Sequence, residues 1–132
     1  MNRLFFLFLP LLLFAEFWNF PHRIDLKKDQ TAYFDVYYKN STYPFKFRWT
    51  LYKNGILTLL YRYDNFPRQI TLYSEPPLNT FKVAIAKFPE LYPYFYIEFK
   101  DFNGKIATFI MYLKNADEVR VDFKGKKWDI LK

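Results

Sequence analysis

A chain of 132 residues, 52% hydrophobic and 24% aromatic, is far too apolar to be disordered, and three glycines exclude collagen-like and glycine-rich low-complexity classes. The absence of cysteine excludes thiol–disulfide chemistry, thiol nucleophiles and cysteine-rich zinc sites. A formal net charge of +7 suits anionic partners such as phospholipid head groups or acidic polysaccharide, although it also serves plain solubility. The densest basic groupings, Lys27-Lys28 and Lys124-Gly125-Lys126-Lys127, fall short of the five or six like charges that mark a binding tail.

The N-terminus has the anatomy of a signal peptide: a short positive end at Met1 to Arg3, an apolar run from Leu4 to Phe14, and Ala15 as the expected cleavage point. As a helix, Leu4 to Ala15 reaches ~18 Å, short of the ~30 Å hydrocarbon core, so a transmembrane anchor is the weaker reading and an uncleaved tether the alternative. The expected division is a signal peptide over 1–15, a lead-in over 16–30 and one domain over 31–132. Such a leader implies export to a periplasmic or extracellular location. A domain of this size is stable there without bridges.

From Thr31 onward, runs of β-branched and aromatic residues alternate with Asn, Gly, Pro and Asp, which predicts strands and turns. The first run is Thr31 to Tyr38. Next, Pro44 to Tyr52 and Ile56 to Tyr63 flank Asn54-Gly55, a pair that tolerates the positive φ angles of a type I′ hairpin turn. Uninterrupted pairing places Tyr52 opposite Leu57, Leu51 opposite Thr58, Trp49 opposite Leu60, Arg48 opposite Tyr61 and Lys46 opposite Tyr63. Phe45, Phe47, Trp49, Leu51, Thr58 and Leu60 then share the core face. Lys46, Arg48, Thr50, Tyr52, Leu57, Leu59, Tyr61 and Tyr63 share the other.

Strands follow at Arg68 to Tyr73 and Thr80 to Ala86, with proline loops at Phe66-Pro67, Pro76-Pro77 and Phe88 to Tyr94. A second hairpin turns at Asn103-Gly104. Uninterrupted pairing puts Phe99 opposite Thr108, and the face bearing Ile97, Phe99, Ile106, Thr108 and Ile110 is the favoured core side. Asp117 to Phe123 alternates as a half-buried strand, and Gly125 permits a turn before Trp128 to Leu131, which pairs or caps. Seven to eight short strands separated by turns predict an all-β antiparallel β-sandwich, with an immunoglobulin-like arrangement or a small barrel as the variants considered.

Catalytic chemistry is poorly supplied. His22 is the sole histidine and reads as a surface or strand-edge residue, and the only serines, Ser41 and Ser74, lack a glycine-rich elbow. Isolated turn glycines cradle no nucleotide. Asp101 to Gly104 is turn chemistry rather than a calcium loop, for want of downstream ligand spacing. Nothing singles out a pair among thirteen carboxylates for a hydrolase. The expectation is therefore a protein that is not an enzyme, with no cofactor and no metal site.

One constellation carries a binding hypothesis: Lys46, Arg48, Tyr52, Tyr61 and Tyr63, which uninterrupted pairing puts on a single sheet face. Cations interleaved with rings can hold an acidic glycan or lipid head group, although the same pairs serve ordinary sheet stability. The expected role is an envelope structural or interaction module, with another envelope protein as partner. The alternative is binding of an anionic envelope glycan or lipid head group through this face. Export makes nucleic acid an unexpected partner.

Overall fold

Three two-residue turns organise the first half of the chain. Lys39-Asn40, Asn54-Gly55 and Asp64-Asn65 all have positive φ at both positions, from 47° to 81°, the geometry whose twist matches that of the flanking strands. Strands joined by such turns must be neighbours. In the computed structural model, which describes residues 20–86, 93–114 and 118–128, β2 (Gln30–Tyr38), β3 (Ser41–Lys53), β4 (Ile56–Tyr63) and β5 (Phe66–Tyr73) form a continuous antiparallel meander. β9 (Val119–Trp128) adds to β2, giving a five-stranded sheet of order β5-β4-β3-β2-β9. A four-stranded antiparallel sheet, β1-β8-β7-β6, contains β1 (His22–Lys27), β6 (Thr80–Ala84), β7 (Tyr94–Phe102) and β8 (Ile106–Lys114). Among the described residues every regular element is a strand.

This order departs from the immunoglobulin arrangement, in which a sheet sets sequence-distant strands side by side. The tight turns are the reason: two residues cannot carry the chain from one sheet to the other. The expected leader over 1–15 and most of the expected Phe88 to Tyr94 loop and Trp128 to Leu131 segment lie outside the described residues.

The sheets meet through rings. Phe45 of β3 stacks on Phe95 of β7 at 5.3 Å, Phe47 meets Phe109 of β8 edge-on at 5.4 Å, and Trp49 meets Phe102 of β7 edge-on at 5.5 Å. Leu57, Leu59, Ile97, Ala107 and Met111 fill the same cluster at zero exposure. A buried polar bond crosses it, the Trp49 indole donating to the Leu26 carbonyl of β1 at 2.8 Å.

β1 falls in the stretch read as a lead-in. Its HRIDLK sequence alternates, burying Ile24 and Leu26 while Arg23 and Lys27 face out, and it pairs with β8 from His22 opposite Met111 to Lys27 opposite Ile106. β5 begins at Phe66, earlier than expected, and accommodates Pro67 because an edge strand can lack a donor. β9 runs through Gly125 rather than turning there. Gly125, at φ 112°, sits at a bulge where Tyr33 pairs with Gly125 but Phe34 pairs with Phe123.

Both predicted hairpin registers need the same correction. Tyr52 pairs with Leu57 and Leu51 with Thr58 as expected, but a bulge at Thr50 shifts every later pair, so that Trp49 faces Leu59, Arg48 faces Leu60 and Phe47 faces Tyr61. In the second hairpin, Asn103 holds the turn differently, its side-chain oxygen accepting from the amides of Lys105 and Ile106 at 2.9 and 2.8 Å. Pairing therefore begins with Phe102 opposite Ala107, and a bulge at Lys100 then sets Phe99 opposite Phe109. A slip of one residue exchanges faces. Leu57, Leu59, Ala107, Phe109 and Met111 consequently line the core, while Leu51 is 52% exposed and Thr58, Leu60, Ile106 and Ile110 are not core-facing.

Candidate functional site on the five-stranded sheet

The bulge also divides the constellation expected to bind. Lys46 and Arg48 precede it on β3 and stay on the outer face of the five-stranded sheet, whereas Tyr52, Tyr61 and Tyr63 turn inward. Tyr52 stacks on Phe102 at 4.0 Å, and Tyr61 stacks on Phe81 of β6 at 5.3 Å. The Tyr63 hydroxyl donates to the Ile85 carbonyl at 2.8 Å. Burial pushes the Tyr61 and Tyr63 phenols above their ordinary range, for Tyr63 with the help of Tyr43 and Asp64. The three tyrosines bind one sheet to the other. Tyr61 and Tyr63 also line a cleft of about 680 Å³ with Tyr43, Phe66, Arg68 and Lys82, at the side where β4 and β5 meet β6.

What the outer face gathers instead follows from the register. Side chains on one face of adjacent strands form rows. Arg62 of β4, Lys46 of β3, Tyr33 of β2 and Gly125 of β9 form one such row. Gln69, Leu60, Arg48, Thr31 and Lys127 form the next, since Arg48 pairs with Leu60, Leu60 with Gln69 and Thr31 with Lys127. Two adjacent rows thus carry Arg62, Lys46, Arg48 and Lys127. Thr31 and Tyr33 of β2 lie among them.

Local chemistry sharpens this patch. Lys46 and Arg62 are directly opposed like charges, an arrangement that destabilises a sheet. Tyr33 takes an ammonium from each side, Lys46 at 5.4 Å and Lys127 at 5.3 Å from its ring centroid. Thr31 is 2% exposed although it belongs to the outer face, because long side chains surround it, and its hydroxyl has no hydrogen-bond partner. Two contiguous depressions of about 500 and 350 Å³ cover the patch, both bordered by Lys46 and Arg62. The first reaches Thr31, Arg48, Arg68 and Gln69, and the second reaches Tyr33, Lys124 and Lys127.

Acidic groups mark the next row. Asp35 opposes Asp122, and Lys124 lies 3.7 and 3.6 Å from their carboxylates. The pull of Asp122 and then of Asp35 raises the Lys124 ammonium above its ordinary value. That ammonium bridges two acids, and the two rows beside it hold the cations Arg62, Lys46, Arg48 and Lys127.

His22 stands at the start of edge strand β1, opposite Met111 of β8. Among the described residues no three His, Cys, Asp or Glu side chains come together as metal ligands would. Sequence reasoning missed Thr31, Tyr33, Arg62 and Lys127. A signal for the division of the constellation was available, since Trp49 and Tyr52, like Phe99 and Phe102, place rings three residues apart where strict alternation demands an even spacing.

Comparison with known proteins finds no matching family model, no matching curated protein and no matching solved structure.

Proposed function

We propose that this protein is an exported, non-catalytic β-sandwich that works by binding, as an envelope interaction module, and that its partner is an anionic glycan or lipid head group engaged by the outer face of the five-stranded sheet. The observation that supports this reading is the direct opposition of Lys46 and Arg62 within two rows holding four cations. Like charges facing each other cost a free sheet a few tenths to about 1 kcal/mol, and a bound anion reverses the sign of that interaction. The leader pattern at 1–15 supports export.

Binding of the full-length and leader-free proteins to phosphatidylglycerol vesicles and to an acidic polysaccharide, measured across a salt series, tests the proposal. Replacing Lys46 and Arg48 together by Ala is expected to weaken binding at least tenfold and to flatten its salt dependence. Binding unchanged by the double substitution would sink the assignment of this face. Intact mass from fractionated cells tests export: a species lacking 1–15 outside the cytoplasm supports it, and a full-length cytoplasmic species rejects it.

A further inference from the structure

We infer that the larger depression contains a subsite for one tetrahedral oxyanion, the phosphate group of a ligand, seated over the Thr31 hydroxyl. The inference rests on the anion-binding reading of this face and specifies the chemical group it takes.

Two independent observations converge on Thr31. The first is positional. The register sets Thr31 directly opposite Lys127 on one side, and the pairing of Ala32 with Phe47 sets it beside Arg48 on the other, while Lys46 and Arg62 occupy the adjoining row. The second is the orphaned hydroxyl itself. Thr31 is among the three buried polar residues found among the described residues, yet its Oγ1 makes no hydrogen bond, although Thr31 borders a depression open to solvent. A buried hydroxyl left without a partner destabilises a fold by about 1–3 kcal/mol. Valine has the same shape and branching and would be preferred if packing alone were served.

The geometry selects the shape of the anion. A carboxylate is planar, and a single guanidinium fork satisfies both of its oxygens. A tetrahedral group has oxygens to direct at cations on opposite sides and another to direct down at a donor in the floor. Here Lys46, Arg48, Arg62 and Arg68 line the larger depression together with Thr31, so three guanidinium groups can provide fork geometry, the register sets Lys127 on the far side of Thr31, and the hydroxyl can supply a neutral donor beneath. To reach it, the ligand displaces the long side chains that surround Thr31, which have several rotamers available at the surface. A volume of about 500 Å³ exceeds the need of one phosphate and leaves room for the group that carries it.

The test uses full-length protein and inorganic phosphate as probe, followed by amide shift perturbation at constant ionic strength, with acetate as the planar comparator. Phosphate is expected to shift the amides around Thr31, Arg48 and Arg62 and to bind more tightly than acetate. Thr31→Val should lower phosphate affinity about tenfold, as loss of a hydrogen bond to a charged group implies, while leaving the fold intact. Thr31→Ser should retain phosphate binding because it keeps the hydroxyl. Phosphate binding to Thr31→Val as tightly as to the parent protein, or acetate binding equal to phosphate, would overturn the subsite. Either result leaves the broader reading standing if Lys46 and Arg48 still govern polyanion binding. Phosphatidylglycerol and phosphatidylcholine vesicles distinguish sources: binding only to the former, lost in Thr31→Val, identifies a lipid head group, and phosphate binding without vesicle binding identifies a soluble phosphate-bearing ligand.

Discussion

Trp49 shows how much can hang on one side chain. Its indole fills the core at 4% exposure and its N–H satisfies the Leu26 carbonyl, tying β3 to β1 across the two sheets. Trp49→Phe should cost about 1–3 kcal/mol from the orphaned carbonyl, with a further loss from the smaller ring, measured as a lower urea midpoint at unchanged slope. Asp25 is a milder case. Burial alone would raise its carboxyl, but hydrogen bonds from Arg23 and Thr108, together with the charges of Arg23 and Lys126, outweigh that and hold it below its ordinary value. A depressed carboxyl stabilises the fold above its unfolded pKa and loses that contribution as pH falls through the lower folded value. The stability advantage of the parent over Asp25→Asn should therefore be constant above about pH 5 and shrink under more acidic conditions. Urea titrations of both proteins from pH 7 to about pH 2 check this, and a gap that widens in acid would contradict it.

At the scale of the element, bulges and edges matter most. The bulges at Thr50 and Lys100 each turn a late aromatic residue inward, and the two rings so delivered, Tyr52 and Phe102, stack on each other at 4.0 Å. Edge strands β5 and β9 carry Pro67 and Arg68, and Lys124, Lys126 and Lys127 with a bulge, devices that discourage pairing with another chain. Within β3 and β4, Lys46→Glu converts the opposed like charges into an opposite pair. The new pair gains a few tenths to about 1 kcal/mol and the lost Tyr33 contact offsets about as much, so stability should change by less than about 1 kcal/mol while anion binding weakens more than in Lys46→Ala. Thermal melts and vesicle binding on the same samples read both effects. A loss of several kcal/mol would show that Lys46 holds the sheet together rather than straining it.

For the whole molecule, the joint between the sheets is a file of β3 rings against β7 and β8. Phe45 is central to it, stacked on Phe95 and in contact with Phe34, Phe47, Tyr61 and Tyr63. Phe45→Ala should destabilise by about 3–5 kcal/mol, a large share of the 5–15 kcal/mol typical of a domain, whereas the exposed Phe66→Ala should change stability little. Equal effects in denaturant titrations would mean that the sheets are not held by this file.

Much of the architecture is legible in the residues alone. The all-β class, the locations of most strands and the Asn54-Gly55 turn follow from local preferences, because β-branched and aromatic runs favour extended backbone and Asn-Gly tolerates positive φ without help from elsewhere. The residues Lys46 and Arg48 were legible as neighbours on one face for the same reason, being two apart on one strand. Their tyrosine companions were misplaced because a bulge is decided across the molecule. Tyr52 turns inward to meet Phe102, a residue fifty positions away, and the odd ring spacing within each strand hints at a bulge without recording that meeting. The partners that replace those tyrosines, Thr31, Tyr33, Arg62 and Lys127, come from three further strands and become neighbours only once their registers are set. Local sequence determined which segments extend and where they turn. Long-range packing of rings decided which side of each strand faces the core, and so which cations were left together on the surface.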